Sequence, residues 1–408
     1  MKKLGPVLLA VVLDLLGFGL VIPLLPYIAE SSGATAQQAM ALMGVYSVAQ
    51  FVFAPMWGSM SDSRGRRPIM LFSIAGTALF LAIFAWASTE HFAALFGAGA
   101  VLPVLFATRL LHGACAANIS TAQAYVADVT TREDRAKGMG LIGASFGLGF
   151  TLGPWLGGEL ARFGLATPIF LAAALSAINF VWALRGLPES RVVGERGKAG
   201  IDINPVHVFR TIAHPVVGSA LLLVFLATFA FSLMEISFGL VAEHVWYPDL
   251  TRKEVAMTIG RVFGLIGVIG VFIQGGLIGR LSKRFGDRSL VIFGYVVNAI
   301  GLWMLLGVTR GGTALLVAAS VISVGNAIAS PSLRAMISKG VDEDSQGKVM
   351  GVNQSLGAFA RATAPWVAAV LYGYGPSVPF AVAGSVMLGG LALAGIVGAA
   401  TGRSAAEA

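Results

Sequence analysis

Charge is scarce in this chain. Only 12% of its 408 residues are Asp, Glu, Lys or Arg, about half the share of an ordinary soluble domain, and that shortage argues against a water-soluble globule. Cysteine is almost missing as well: the single Cys115 rules out an intrachain disulfide and leaves the redox compartment open. No G-x-x-x-x-G-K-[ST] loop is present, so ATP drive is not expected. There is no H-E-x-x-H and no nucleophile with an evident base. The "GASFG" around Ser145 does match G-x-S-x-G, but that motif needs a strand-to-helix turn, and here it lies in a glycine-rich apolar stretch. What the chain has in quantity is hydrophobic side chains, 56%, with 52 glycines and a mean hydropathy of +0.81. Its net charge of +8 is spread in short clusters between apolar runs. That is not a nucleic-acid stripe, and no nucleic-acid partner is expected.

The first apolar run, Leu4 to Ala29, is 26 residues long, and about 20 suffice to cross a bilayer as a helix. Its opening "MKK" resembles a signal peptide. The apolar part is too long for one and lacks a small-x-small exit, so a retained first helix is expected. Apolar runs separated by charge, Gly or Pro predict twelve spans, at 5–28, 40–60, 68–88, 102–126, 136–159, 165–185, 218–242, 256–280, 289–308, 312–336, 347–372 and 376–400. Segment 89–101 reads either as an outer loop or as an early start to the fourth span. With both termini in the cytoplasm, 21 of the 28 Lys and Arg fall in cytoplasmic segments, while Arg162, Arg252, Lys253 and Arg310 fall outside. That asymmetry sets the expected orientation. Arg109, Arg261 and Arg361 lie within spans.

The polar stretch 186–215 reads as a cytoplasmic linker between an N-terminal bundle, 1–185, and a C-terminal bundle, 216–408. The two halves resemble each other. "GSMSDSRGRR" (58–67) aligns with "GRLSKRFGDR" (279–288) at an offset of 221, and Pro154-Trp155 recurs as Pro365-Trp366 at an offset of 211. "KGMG" (137–140) likewise recurs as "KVMG" (348–351). Parallel repeats of this kind mark transporters whose substrate site lies near the midplane.

These residues also carry a family resemblance. "GSMSDSRGRRP" is similar to the loop motif of the major facilitator superfamily, and "RLLHGACAA", with Arg109 four residues before Gly113, resembles its fourth-helix motif. "GASFGLGFTLGPWLGG" (143–158) resembles the fifth-helix antiporter motif, and "DLLGFGLVIPLLP" (14–26) resembles the first helix of the twelve-helix drug:proton antiporters, which include the tetracycline exporters. The resemblance implies an all-α membrane protein of two pseudo-symmetric six-helix bundles. The implied activity is proton-coupled antiport that exports a small amphipathic compound by alternating access. Its partners would be protons, lipids and a small-molecule substrate. It implies no enzyme activity, cofactor or metal, a monomer, and a bacterial inner membrane. Alternatives are a proton-coupled symporter, a sugar or metabolite exporter, and a sensor that keeps the fold without turnover.

An ionised side chain near the bilayer centre costs at least about 2.5–3.5 kcal/mol on insertion scales, and such residues usually face a cavity, a partner or a proton path. Asp14 and, at the 221 offset, Glu235 are therefore candidates for proton coupling or substrate binding, together with Arg109 and His112, which share a helix face. Gln50, Asn118, Gln123, Asn326, Asn353 and Gln354 are cavity candidates, each with helix-to-helix hydrogen bonding as the plainer reading. The loop residues Gly58, Asp62, Arg64, Gly65, Arg66 and Arg67 are expected to form a gate in which Asp62 meets a helix N-terminus. Lys283, standing where Asp62 would recur, argues against a second such gate. Gly149, Gly153 and Gly157, at intervals of four, make one face for close helix approach, with Pro154 and Gly158 completing the motif.

Overall fold

The computed structural model describes residues 5–190, except 117 and 131, and residues 215–339 and 343–406. Every regular element among them is helical. The first rod runs from α1 (Gly5–Val21) through a 3-10 turn at Ile22–Leu24, where Pro23 interrupts the ladder, into α2 (Leu25–Ser31). α3 (Ala36–Arg64) starts at a capping box: Thr35 Oγ1 accepts from the Gln38 N–H while Gln38 Oε1 accepts from the Thr35 N–H, at 3.3 and 2.9 Å. α4 (Arg66–Ala87) follows after the single residue Gly65. The ambiguous segment 89–101 resolves into a short helix, α5 (Glu90–Phe96), capped by Thr89, and a break at Gly97. α6 (Ala98–Cys115), α7 (Asn118–Val129), α8 (Arg132–Leu160) and α9 (Thr167–Gly186) complete the N-terminal series.

The second series comprises α10 (Pro215–Val241), α11 (Arg252–Phe272), α12 (Ile278–Phe285), α13 (Asp287–Met304), α14 (Thr313–Lys339), α15 (Glu343–Tyr374) and α16 (Val378–Ala406). π-helical turns extend α10 at Ala242–Trp246 and join α11 to α12 at Ile273–Leu277. Eight helical spans among the described residues are long and apolar enough to cross a membrane, or nine if α3, bent by 43° near Pro55, is taken as one. Residues 191–214, most of the expected linker, lie outside the described residues.

Contacts divide the chain into two compact units. Unit 1 holds Met1–Ile201 with Asp249–Gly267, and unit 2 holds Asp202–Pro248 with Val268–Ala408. The first part of α11, placed by sequence in the C-terminal bundle, thus packs with unit 1. The reason is local: a Cβ on Gly158 would stand 2.8 Å from the Gly260 Cα, so α8 and α11 meet backbone to backbone. Within unit 1, α1 packs along α8 and α9, and α4 along α6 and α9. Val7, Val11 and Leu15 interlock there with Met70, Ile74 and Tyr125. In unit 2, α13 lies against α14 through Gly294, Gly301 and Gly325. The Trp246 ring stacks on Phe380 at 5.9 Å, with Phe238 edge-on at 4.8 Å.

The repeat is visible in the turns. Gly65 and Gly286, 221 apart, take φ 100°, ψ 155° and φ 77°, ψ 151° between successive helices. Gly164 and Gly375, 211 apart, likewise have positive φ. They make the same pair of hydrogen bonds, Gly164 N–H to Ala161 O and Thr167 N–H to Gly164 O, matched by Gly375 to Tyr372 and Val378 to Gly375.

Candidate functional site

In unit 1, Arg109 and His112 meet at one ring. Arg109 is only 3% exposed, and its guanidinium carbon lies 4.5 Å from the centroid of Tyr46 on α3. His112, one turn along α6 and also buried, meets the same ring edge-on at 4.9 Å. Phe18 on α1 neighbours the same ring, with centroids 5.4 Å apart and the planes tilted by 39°. Asp14 is half-buried one turn before Phe18 on α1. α6 reaches α3 so closely because residue 113 is glycine: a Cβ there would collide with the Tyr46 carbonyl. A desolvated cation over an aromatic face gains about 2 kcal/mol or more. Tyr46 was legible in the sequence only as one aromatic among many.

In unit 2, Glu235 on α10 is half-buried and Arg361 on α15 is the charged group that acts on it. Asn353, on α15, keeps a buried Oδ1 with no hydrogen bond among the described residues. Phe225 stacks on Phe229 at 6.0 Å and on Phe359 at 5.9 Å, an aromatic ladder shared by α10 and α15. Of the other cavity candidates, Gln50 and Gln123 are half-buried in unit 1 and Asn326 is exposed in unit 2. The side chains of Asn118 and Gln354 lie outside the described residues. Asn298 donates to Ile322 O at 3.4 Å, a helix-to-helix bond of the plain kind.

The loop after α3 is a charge network centred on Arg66. Its guanidinium bonds Asp62 at 2.6 Å, Asp128 at 3.0 Å and the Ser61 hydroxyl at 2.6 Å. A further carboxylate joins the network from further along the chain. The carboxylate at the α4 N-terminus is Glu189, which accepts from the Arg66 and Arg67 N–H groups at 2.9 and 3.1 Å, where the helix dipole favours an anion. Arg67 in turn caps the end of α9, donating to Leu184 O at 2.7 Å and Leu187 O at 2.8 Å. Gly65 is buried under Glu189, and Gly58 accepts from Ser61 through its carbonyl at 2.8 Å. Arg64 is exposed at the end of α3. Asp128 and Glu189 were missed in the sequence because each sits in ordinary-looking charged surroundings far from the motif.

The glycine face of α8 docks on the helix that carries Asp14. A Cβ on Gly149 would stand 2.7 Å from Leu15 Cβ, one on Gly153 2.6 Å from the Gly19 Cα, and one on Gly157 2.5 Å from the Leu20 carbonyl oxygen. Pro154 lies in the interior of α8 beside Gly19. Gly158, on the neighbouring face, serves α11 instead. Two ion pairs flank that second contact, Glu159 to Arg261 at 2.6 Å and Glu30 to Arg252 at 3.7 Å.

Comparison with known proteins agrees with this architecture. Residues 7–365 match the sequence pattern of the Major Facilitator Superfamily, as residues 256–404 do separately. The chain is 33% identical over 368 residues to the tetracycline resistance protein, class C, of Escherichia coli, covering 89% of this chain and 87% of that protein. It is 30% identical over 385 residues to multidrug resistance protein 2 of Bacillus subtilis, covering 93% and 90%. Among solved structures it is similar to the human organic anion transporter MFSD10 (TETRAN), with a TM-score of 0.69 and 26% identity over 96% of this chain and 99% of that one. The chain belongs to the Major Facilitator Superfamily, whose members are membrane-embedded small-molecule transporters and not enzymes.

Proposed function

We propose that this protein is a proton-coupled antiporter of a bacterial inner membrane, exporting a small amphipathic organic compound by alternating access with both termini in the cytoplasm. The observation that carries the reading is Asp14, a half-buried carboxylate in an apolar first helix whose Leu15, Gly19 and Leu20 pack on the glycine face of α8. Buried ionisable groups in membrane helices are costly and mark proton or substrate paths. Asp14 takes up a proton from one side and gives it up on the other, and Glu235, under the influence of Arg361, is the matching group of the second half. The drug-resistance names of the relatives support export and the class of cargo. The Arg66 network is proposed to hold one conformational state, with its carboxylates and guanidinium parting in another.

The test uses everted vesicles carrying wild type or Asp14→Asn, with an imposed pH gradient and a panel of amphipathic drugs. Substrate-triggered proton release that the mutant loses is the expected result. Equal responses from the two proteins would make Asp14 structural. Release by neither would sink the antiport reading.

A further inference from the structure

One outward stripe of α9 carries more than apolar side chains. Ala177, Ile178, Val181, Trp182 and Arg185 recur at helical spacing and line an open groove of about 440 Å³. From Ala177 to Arg185 it runs about 12 Å along the helix. Ile178 is 62% exposed and Trp182 38%, and in a bilayer such side chains gain nothing by hiding, since lipid tails are as apolar as they are. Arg185 is different. It is exposed in the last turn of α9, and no ion pair among the described residues includes it. The carbonyls at that helix end are already taken, because Arg67 donates to Leu184 O and Leu187 O at 2.7 and 2.8 Å. The Trp182 indole N–H likewise makes no hydrogen bond among the described residues, whereas those of Trp57, Trp246 and Trp303 donate to backbone carbonyls.

We propose that this groove is a binding site for an anionic phospholipid. The headgroup phosphate lies on the Arg185 guanidinium, whose planar fork matches two phosphate oxygens. Trp182 donates its indole N–H to an ester carbonyl just below the headgroup, the depth at which tryptophan is enriched in membrane proteins. One acyl chain runs on over Val181, Ile178 and Ala177. Charge selects the lipid: a zwitterionic headgroup brings its own cation to the phosphate and competes with Arg185, while phosphatidylglycerol brings none. The apolar floor makes the ligand a lipid and not a free phosphate, because one exposed arginine gains little from an ion in water. The site needs only the embedding of α9 in a bilayer. Its assignment to the cytoplasmic leaflet, where basic grooves recruit anionic lipid, rests on the orientation proposed above.

The test is native mass spectrometry of the full chain in detergent, titrated with phosphatidylglycerol or with phosphatidylcholine of identical acyl chains. Wild type should bind its first phosphatidylglycerol about five-fold or more tightly than its first phosphatidylcholine, the preference that one arginine near an anionic surface confers. Arg185→Gln should bring that ratio close to one. Arg280→Gln, at another exposed arginine on α12, should leave it unchanged. Ala177→Trp, which fills the groove, should weaken both lipids, and inorganic phosphate at millimolar concentration should displace neither. Equal binding of the two lipids by wild type overturns the site, as does an Ala177→Trp protein that binds like wild type. Equal losses in Arg185→Gln and Arg280→Gln would reduce it to diffuse attraction toward basic surface, and displacement by phosphate would make it an ion site; either result rejects the proposal. The transport reading fails separately: selective lipid binding without proton movement in vesicles would sink antiport and keep the site, and proton-linked flux without lipid selectivity would do the reverse.

Discussion

At Gly65 the backbone takes φ 100° and ψ 155°, a region open almost only to glycine, and a Cβ there would come within 2.5 Å of Glu189 Oε2. Gly65→Ala should therefore cost about 1–3 kcal/mol from backbone strain alone, plus the displacement of Glu189 from the α4 N-terminus, read as a lower melting temperature in detergent. Arg66 makes a second prediction. Its three side-chain partners require the planar fork of a guanidinium, which a lysine cannot reproduce. Arg66→Lys should lose about 2–3 kcal/mol, at or below the range for breaking a buried pair because lysine keeps the charge and Asp128 is partly exposed. Asp14, Arg109 and His112 could be picked out of the sequence because charge and imidazole stand out in an apolar run. Glu189, 123 residues from Arg66, could not, since a carboxylate after a membrane span is unremarked until folding brings it to a helix end.

Helix α8 shows how much a spacing can tell. Intervals of four marked Gly149, Gly153 and Gly157 as one contact face, but nothing in the spacing said that α1 would lie on it or that Gly158 would serve α11. The partner of a face depends on the whole packing, and a single helix does not encode it. Gly153→Ala should push α1 from α8, because the new methyl meets backbone rather than a side chain able to swing away. The expected outcome is a loss of monodisperse protein on size exclusion, together with a fall in transport of about ten-fold or more. Gly147→Ala, on the same helix with open space around it, should be neutral or slightly stabilising by helix propensity. The Glu159–Arg261 pair lies at the other extreme. Arg261 is 60% exposed, so removing either partner should shift stability by only about 0.2–1 kcal/mol. The double swap Glu159→Arg with Arg261→Glu should recover most of any transport defect in a double-mutant cycle.

At the scale of the whole molecule, hydropathy and the distribution of basic residues were enough to read an all-helical membrane protein. They missed the allegiance of α11, whose first part packs in unit 1 although its sequence continues into the second half. Close glycine contact, not chain order, decides that membership. Coupling is also a property of the whole molecule. Glu235→Gln should leave compound binding within about three-fold of wild type while lowering gradient-driven export, measured as accumulation in everted vesicles at pH 6 against pH 8; an unchanged pH response would remove Glu235 from the coupling path. The paired turns at Gly65 and Gly286 keep nearly the same dihedral angles, although Asp62 in the first half has Lys283 as its counterpart in the second. Taken as two copies of one unit, the turns separate geometry from chemistry: the bend is common property, and the acid belongs to one copy alone.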